Sequence, residues 1–184
     1  MSKSFVHLHA HTEYSMLDGA AKINDYLDRV KELNQPGAAI TDHGNLYGAL
    51  EFYHSALKKK LIPIIGYEAY VINDSRFDRP DRENNKRYHL TLLAENTVGY
   101  WNLVNMASKA FTEGYYYKPR VDYELLKDHS EGIIALSGCL GGEISQFLAP
   151  DGSVEEGNQE GERSFSKALE KARFYQSIFG ENNF

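Results

Sequence analysis

Three histidines spaced two apart lie near the start of the chain, in Phe5-Val6-His7-Leu8-His9-Ala10-His11. In an extended segment alternate side chains share a face. The spacing therefore predicts a strand with His7, His9 and His11 on one side and Val6, Leu8 and Ala10 on the other. Two imidazoles placed this way can grip one metal ion. Such a triplet alone also suits a polar strand face in water, so the other ligand-type residues matter. Thr41-Asp42-His43-Gly44 follows the apolar run Ala38-Ala39-Ile40, and Gly66-Tyr67-Glu68 follows Leu61-Ile62-Pro63-Ile64-Ile65. His89 stands near the start of Tyr88–Ala94, and Gly138-Cys139 follows Gly132–Ser137. Imidazole, carboxylate and thiolate together suit zinc, or manganese and iron where oxygen ligands increase. On this reading His9 and His11 are the leading pair, and Glu68 could bridge two ions through its two oxygens. His89 and Cys139 would complete a second shell, with Asp18 and His43 on a third ion. Each has a plainer alternative: Asp18 as a turn or cap residue, and Cys139 as a buried neutral thiol. Asp42 suits orienting a histidine, or capping the next helix, better than binding metal.

The elements that must position these groups are legible as alternation. The unbroken Leu and β-branched runs predict strands buried on both faces, as in parallel sheets. Between them, Ile23, Tyr26, Leu27, Val30 and Leu33 form one helical stripe, closed by Gly37. Leu46, Ala49, Leu50, Tyr53, Ala56 and Leu57 form another, and a third helix is predicted over Val98–Phe111. Phe165, Ala168, Leu169, Ala172, Tyr175 and Ile178 make a last amphipathic helix ending at Phe179-Gly180, and Glu181–Phe184 resembles the approach to a further strand. Alternating strand and helix predicts a parallel sheet with right-handed crossovers and a site at the strand C-terminal ends. Two stretches interrupt this pattern: residues 73–87, a charged surface loop, and residues 150–163, an acidic mobile connector.

Composition narrows the classes. The 184 residues fit one domain, 1–184, with a proper core. No apolar run approaches the roughly 18 residues that span a bilayer, and Met1–Phe5 leads straight into a predicted strand without a signal peptide. A single cysteine excludes an intrachain disulfide, and the chain reads as cytoplasmic. The net charge of −6 argues against a free-standing nucleic-acid binder. It is compatible with a phosphate substrate, because bound divalent cations reverse the local field.

Other residues carry less. His54 reads as a surface residue beside a helical stripe, and His129 as solvated in a polar turn. Gly114-Tyr115-Tyr116-Tyr117-Lys118-Pro119-Arg120 mixes rings with cations. That suits bases and phosphates, with Lys118 and Arg120 as contacts, or equally the packing of an aromatic loop onto the domain.

His9-Ala10-His11-Thr12, Thr41-Asp42-His43-Gly44 and Gly66-Tyr67-Glu68 resemble the motifs of the PHP (polymerase and histidinol phosphatase) superfamily. Longer phrases, FVHLHAHTEYSMLDG, AAITDHGNLYGALEFY, IIGYEAYV, YHLTLLAEN, GYYYKPRVD and EGIIALSGCLGGEI, are similar to the N-terminal domains of bacterial replicative DNA polymerase III alpha subunits. The similarity covers essentially residues 4–184. It implies an α/β fold, a distorted β/α barrel with seven strands in the family, and a site for up to three divalent metal ions. Zinc leads, with manganese, magnesium or iron as alternatives. The metal ligands implied are His9, His11, Asp18, His43, Glu68, His89 and Cys139. His7, where many members have Asp, and Asp42 are implied only as neighbours of the ligands.

The resemblance implies metal-dependent phosphodiester hydrolysis, including 3′–5′ exonuclease proofreading, with a metal-activated water and no side-chain nucleophile. It implies DNA and other replicase subunits as partners, and no membrane. The family's later Asp-x-His motif does not occur after Cys139. The expectation is thus a piece of a longer polymerase that lacks the barrel's C-terminal strands and is prone to self-association. Two other functions stay open: a structural, partner-binding module without activity, and a free-standing phosphoesterase resembling histidinol phosphatase.

Overall fold

The computed structural model describes residues 5–81, 84–149 and 164–184; the predicted connector 150–163 lies outside them. The elements begin with α1 (Ile23–Glu32), β1 (Gly37–Ile40), α2 (Ala49–Lys58), β2 (Ile62–Ile72) and β3 (Tyr88–Ala94). Then follow α3 (Thr97–Thr112), β4 (Arg120–Asp122), α4 (Tyr123–Asp128), β5 (Ile133–Leu136), α5 (Glu143–Leu148) and α6 (Phe165–Phe179). The alternation expected from the sequence is present, and the five strands form one sheet.

Its direction differs from expectation in one strand. β1 and β4 run parallel to β2, but β3 is antiparallel to both β2 and β5. Among the described residues, no helix lies between β2 and β3. The charged segment 73–87 takes its place, so no right-handed βαβ crossover forms there and β3 returns in the opposite sense. β2 is also longer than its apolar run suggests. It passes through Gly66 and Glu68 to Ile72, lying against β1 with its first half and between β3 and β4 with its second. Glu68 is therefore in mid-strand.

Phe5–His11 is not a regular strand. It is tied alongside β1 by Ala39 N–H to the His7 carbonyl (3.0 Å) and Thr41 N–H to the Ala10 carbonyl (2.9 Å). These anchors are two residues apart on the β1 side and three apart on the other, with a bend at Leu8-His9. The additional residue acts as a bulge and breaks the alternation. His7 is exposed and lies edge-on to Phe5, while His9 and His11 turn inward together.

Two apolar clusters hold the sheet. One gathers Ile23, Leu27 and Val30 of α1, Ala38 and Ile40 of β1, and Phe52 and Ala56 of α2. The other packs α3, α4 and α6 on β2, β3 and β5 through Tyr67, Leu92, Leu103, Met106, Leu126 and Tyr175. Burying Phe52 completely contributes about 2–3 kcal/mol. Of the stripe expected on α2, Ala49 and Ala56 are buried, but Leu50, Tyr53 and Leu57 face outward, with exposures of 66%, 43% and 48%. Gly37 does not close α1, which ends at Glu32; it opens β1, where a Cβ would meet the Ile62 carbonyl at 2.3 Å. The approach of Glu181–Phe184 to the sheet is present as a bond from Ala135 N–H to the Asn183 carbonyl (2.8 Å).

Three short elements, β4, α4 and α5, had no sequence signal strong enough to separate them from loop. β4 is fixed by a polar knot. Asp122 caps α4 through Leu125 N–H (3.0 Å) and accepts from the backbone and guanidinium of Arg76, which also reaches Glu113 at 2.7 Å. The charged segment is thereby pinned to the body at Arg76.

Candidate metal centre

Four separate pieces of chain bring ligand atoms to one carboxylate. Glu68 is wholly buried. Its Oε2 lies 3.0 Å from His9 Nε2, 2.9 Å from His11 Nε2 and 3.2 Å from His43 Nδ1. Its Oε1 lies 3.2 Å from His89 Nδ1 and 4.0 Å from Cys139 Sγ. Cys139 Sγ is 3.5 Å from the same His89 nitrogen. Donors about 2.1 Å from a tetrahedral ion stand about 3.4 Å from one another, so these spacings suit shared coordination. His9, His11 and Glu68 make one group able to hold an ion, and His43, Glu68 and His89 another. Glu68 belongs to both.

The backbone explains the convergence. His9 and His11 come from the bulged segment, and His43 follows β1 as a parallel bridge partner of Glu68. His89 starts β3, and because β3 is reversed, its start lies beside the second half of β2 (Tyr70↔His89). Cys139 follows β5 in a turn pressed onto His89, where His89 N–H donates to the Gly141 carbonyl at 2.9 Å. Gly138 makes that turn possible: its φ is +81°, and a Cβ there would come within 2.8 Å of the His89 carbonyl oxygen. His43 is sandwiched between the rings of His11 (4.1 Å, nearly parallel) and Tyr70 (5.9 Å).

The electrostatics are those of a mutually dependent cluster. Burial by itself would push the Glu68 carboxyl up, but the imidazoles of His11, His89 and His9 hold it far below the carboxylate range. Burial works to lower His11, and the adjoining Glu68 overrides it, so His11 is raised. Burial lowers His43, helped by the neighbouring His11 and His89 rings. A neutral His43 with an available lone pair is the form a metal requires. Its Nδ1 is buried without a well-aligned hydrogen-bond partner, although Glu68 Oε2 is close. An ion shared with Glu68 would satisfy it. By this test the residues fit a divalent metal.

Asp18 does not join either group. Its Oδ2 sits 2.5 Å from the other nitrogen of His43, Nε2, and its side chain is 65% exposed. It holds the His43 ring from outside, the arrangement that orients metal-binding histidines. Asp42 is buried and acts through intermediaries. It accepts from Thr12 N–H (2.6 Å), Thr12 Oγ1 (2.7 Å) and Ser15 Oγ (2.7 Å). Ser15 Oγ in turn accepts from His43 N–H at 3.0 Å and lies 3.4 Å from His11 Nδ1. Thr12 and Ser15 are thus positioning residues that the sequence reading missed. Their signal was their place one and four residues after His11.

Of the expected phosphate contacts, Arg120 is spent internally. It is buried and donates to the carbonyls of Gly114, Arg76 and Asp78. Lys118 is exposed, with its Nζ 5.3 Å from the Tyr70 ring centre. His54 is exposed, and His129, at the end of α4, faces the Asp128 carbonyl.

The PHP domain profile matches residues 7–184. The chain belongs to the PHP domain family. As a PHP domain it is 56% identical over 151 residues to the DNA polymerase III subunit alpha of Thermus aquaticus, covering 80% of this chain and 12% of that protein. It is 46% identical over 190 residues to the subunit of the same name from Deinococcus radiodurans, covering 99% of this chain and 13% of the relative. With the Helicobacter pylori protein of that name it shares 46% identity over 181 residues, 98% of this chain and 15% of the relative. The chain spans about an eighth of the length of these curated relatives. Among the described residues, no helix is long and apolar enough to cross a membrane.

Proposed function

We propose that this PHP domain is a metal-dependent phosphodiesterase within a bacterial replicative DNA polymerase alpha subunit, acting on DNA 3′ ends. The observation that carries the proposal is the wholly buried Glu68 carboxylate, with four imidazoles and a thiol brought to it by separate elements. A carboxylate so placed is costly unless cations share it. His9, His11 and Glu68 would hold one ion, and Glu68, His43 and His89 with Cys139 another. Asp18 would orient His43 from its Nε2 side. Nitrogen, oxygen and sulfur donors together favour zinc. When bound, such ions polarise phosphate oxygens and acidify water, so no side-chain nucleophile is needed. Cys139 is accordingly a ligand, and Lys118 a contact for the incoming phosphate.

The name shared by the relatives favours DNA and replicase subunits as partners over a small-molecule phosphatase role. The test is metal analysis together with digestion of end-labelled single-stranded DNA, run on this chain and on a longer polymerase carrying it. Chelator-sensitive release from the 3′ end, abolished by Glu68→Ala, is expected. A fully metallated protein that releases nothing in either form would overturn the proposal.

A further inference from the structure

Among the described residues, four other than glycine have positive φ: Leu17, Asn34, Lys60 and Tyr117. Asn34 and Lys60 follow the ends of α1 and α2, where a left-handed residue is an ordinary way to finish a helix. Leu17 and Tyr117 have no such role, and each belongs to a segment that reaches His43 or its neighbour Gly44. Leu17 (φ 70°) precedes Asp18, whose carboxylate touches His43 Nε2. Tyr117 (φ 61°) is the apex of a tight turn closed by Tyr116 N–H to the Lys118 carbonyl. That turn leads into Pro119, which packs so closely on Gly44, next to His43, that a Cβ on Gly44 would lie 2.9 Å from it.

Strain of this kind persists only where the surroundings enforce it. Here it presents apolar groups to solvent: Leu17 is fully exposed and Tyr117 is 66% exposed. The neighbouring Tyr116 is fixed, its hydroxyl donating to the Pro80 carbonyl at 2.8 Å and its ring lying near Arg79 and Arg120. Lys118 makes no ion pair among the described residues, and its ammonium stands over Tyr70, the ring that stacks on His43. An exposed ring, a cation one residue on and a ligand cluster behind them form the pattern by which proteins stack a base and hold its phosphate.

We propose that Tyr117 and Leu17 are the base-gripping residues of this site, stacking the terminal nucleobases of a single strand while Lys118 takes the adjoining phosphate. The proposal rests on the phosphodiesterase reading for the identity of the strand, and its test separates the two. Binding of a short 5′-fluorescein-labelled phosphorothioate oligothymidylate is followed by anisotropy. In parallel, KM is measured for an unmodified oligothymidylate and for bis(p-nitrophenyl) phosphate, which has no base.

Tyr117→Ala should weaken oligonucleotide binding about tenfold, with Tyr117→Phe close to the parent and Leu17→Ala between them. KM should rise more for the oligonucleotide than for the base-free ester. Lys118→Ala should reduce the slope of log affinity against log salt by about 0.7. His54→Ala, outside the site, should change none of these. An unchanged affinity in Tyr117→Ala, a Phe variant as weak as the Ala variant, or an equal rise of both KM values would overturn the proposal. So would a Tyr117→Ala effect confined to stability of the longer polymerase, which would make the turn a protein contact. If neither substrate is hydrolysed, the phosphodiesterase reading fails, while the affinity series still judges the grip.

Discussion

His89 Nδ1 lies 3.2 Å from Glu68 Oε1, although the two residues belong to strands that run in opposite directions. Had β3 been parallel to β2, a residue at its start would have faced the far end of the sheet. The reversal brings the start of β3, the second half of β2 and the end of β5 to one place. The same carboxylate also serves His9, His11 and His43.

Glu68 is therefore the position whose loss should cost most. Glu68→Ala is expected to remove more than one ion's share of metal and about 3 kcal/mol of stability, since it leaves the imidazoles without their common partner. Metal analysis and urea unfolding, with and without chelator, check this. The exposed His54→Ala should alter neither quantity. Equal metal loss in both variants would contradict the assignment.

Asp42→Ala should act at a distance. It deprives Thr12 N–H, Thr12 Oγ1 and Ser15 Oγ of their buried acceptor, and with Ser15 go the supports of His11 and His43. Loss of such supporting bonds weakens metal binding about 10- to 100-fold. Competition against a coloured chelator measures it. Ser15→Ala, which removes the hydroxyl lying between Asp42, His43 N–H and His11 Nδ1, should show a loss in the same direction.

The legible part of this site was the part written in local sequence. The ligand types and their place beside apolar runs pointed to one cluster, and His9, His11, His43, Glu68, His89 and Cys139 do meet at it. What local pattern could not carry was strand direction and register. The bulge at Leu8-His9 separates His7 from the other two histidines, and nothing in the alternation announces it. Arg120 looked like a free cation in a charged, aromatic stretch, but its burial depends on carbonyls 42 and 44 residues away. The pairing of Asp42 with Thr12 and Ser15 spans 30 and 27 residues and is likewise invisible to periodicity.

Alkaline pH should unfold the protein through its buried tyrosines. Burial raises Tyr26 to about 12 and drives Tyr67 higher still. Tyr175 is raised first by burial and then by the carboxylate of Glu143. A raised folded-state value means the unfolded chain loses these protons first. The stabilisation is whole below pH ~10, the ordinary tyrosine value, and for Tyr26 it is lost progressively from there to pH ~12. The unfolding free energy from urea titrations across that range should fall, by about 1.4 kcal/mol per pH unit for each such tyrosine. Tyr67, whose hydroxyl is buried without a partner, offers a control. Tyr67→Phe should gain about 1 kcal/mol at neutral pH and soften the alkaline loss. Tyr175→Phe should lose stability at neutral pH, because it breaks a 2.8 Å bond to Glu143.

The knot between Arg76 and Asp122 should be strongly coupled. Asp122 Oδ1 receives Leu125 N–H and the Arg76 guanidinium, while Oδ2 receives Arg76 N–H. Both side chains are largely removed from water, with exposures of 10% and 6%. Removing one partner of a buried pair costs about 3–5 kcal/mol where nothing else pairs the group left behind. Arg76 has a second acceptor in Glu113 at 2.7 Å, so Asp122→Ala leaves the cation partly paired. Arg76→Ala removes the guanidinium but leaves Asp122 both backbone donors, Leu125 N–H and the N–H of residue 76, unless the segment around residue 76 also detaches and takes the second with it, so the order of the two losses reports on that segment. If Arg76→Ala costs less than Asp122→Ala, the segment stays docked through its backbone bond and the helix cap carries most of the energy. In either case the double variant should lose about 1–3 kcal/mol less than the sum of the single losses, as measured by urea unfolding. Strict additivity would show that the two groups are independent and that the charged segment is held elsewhere.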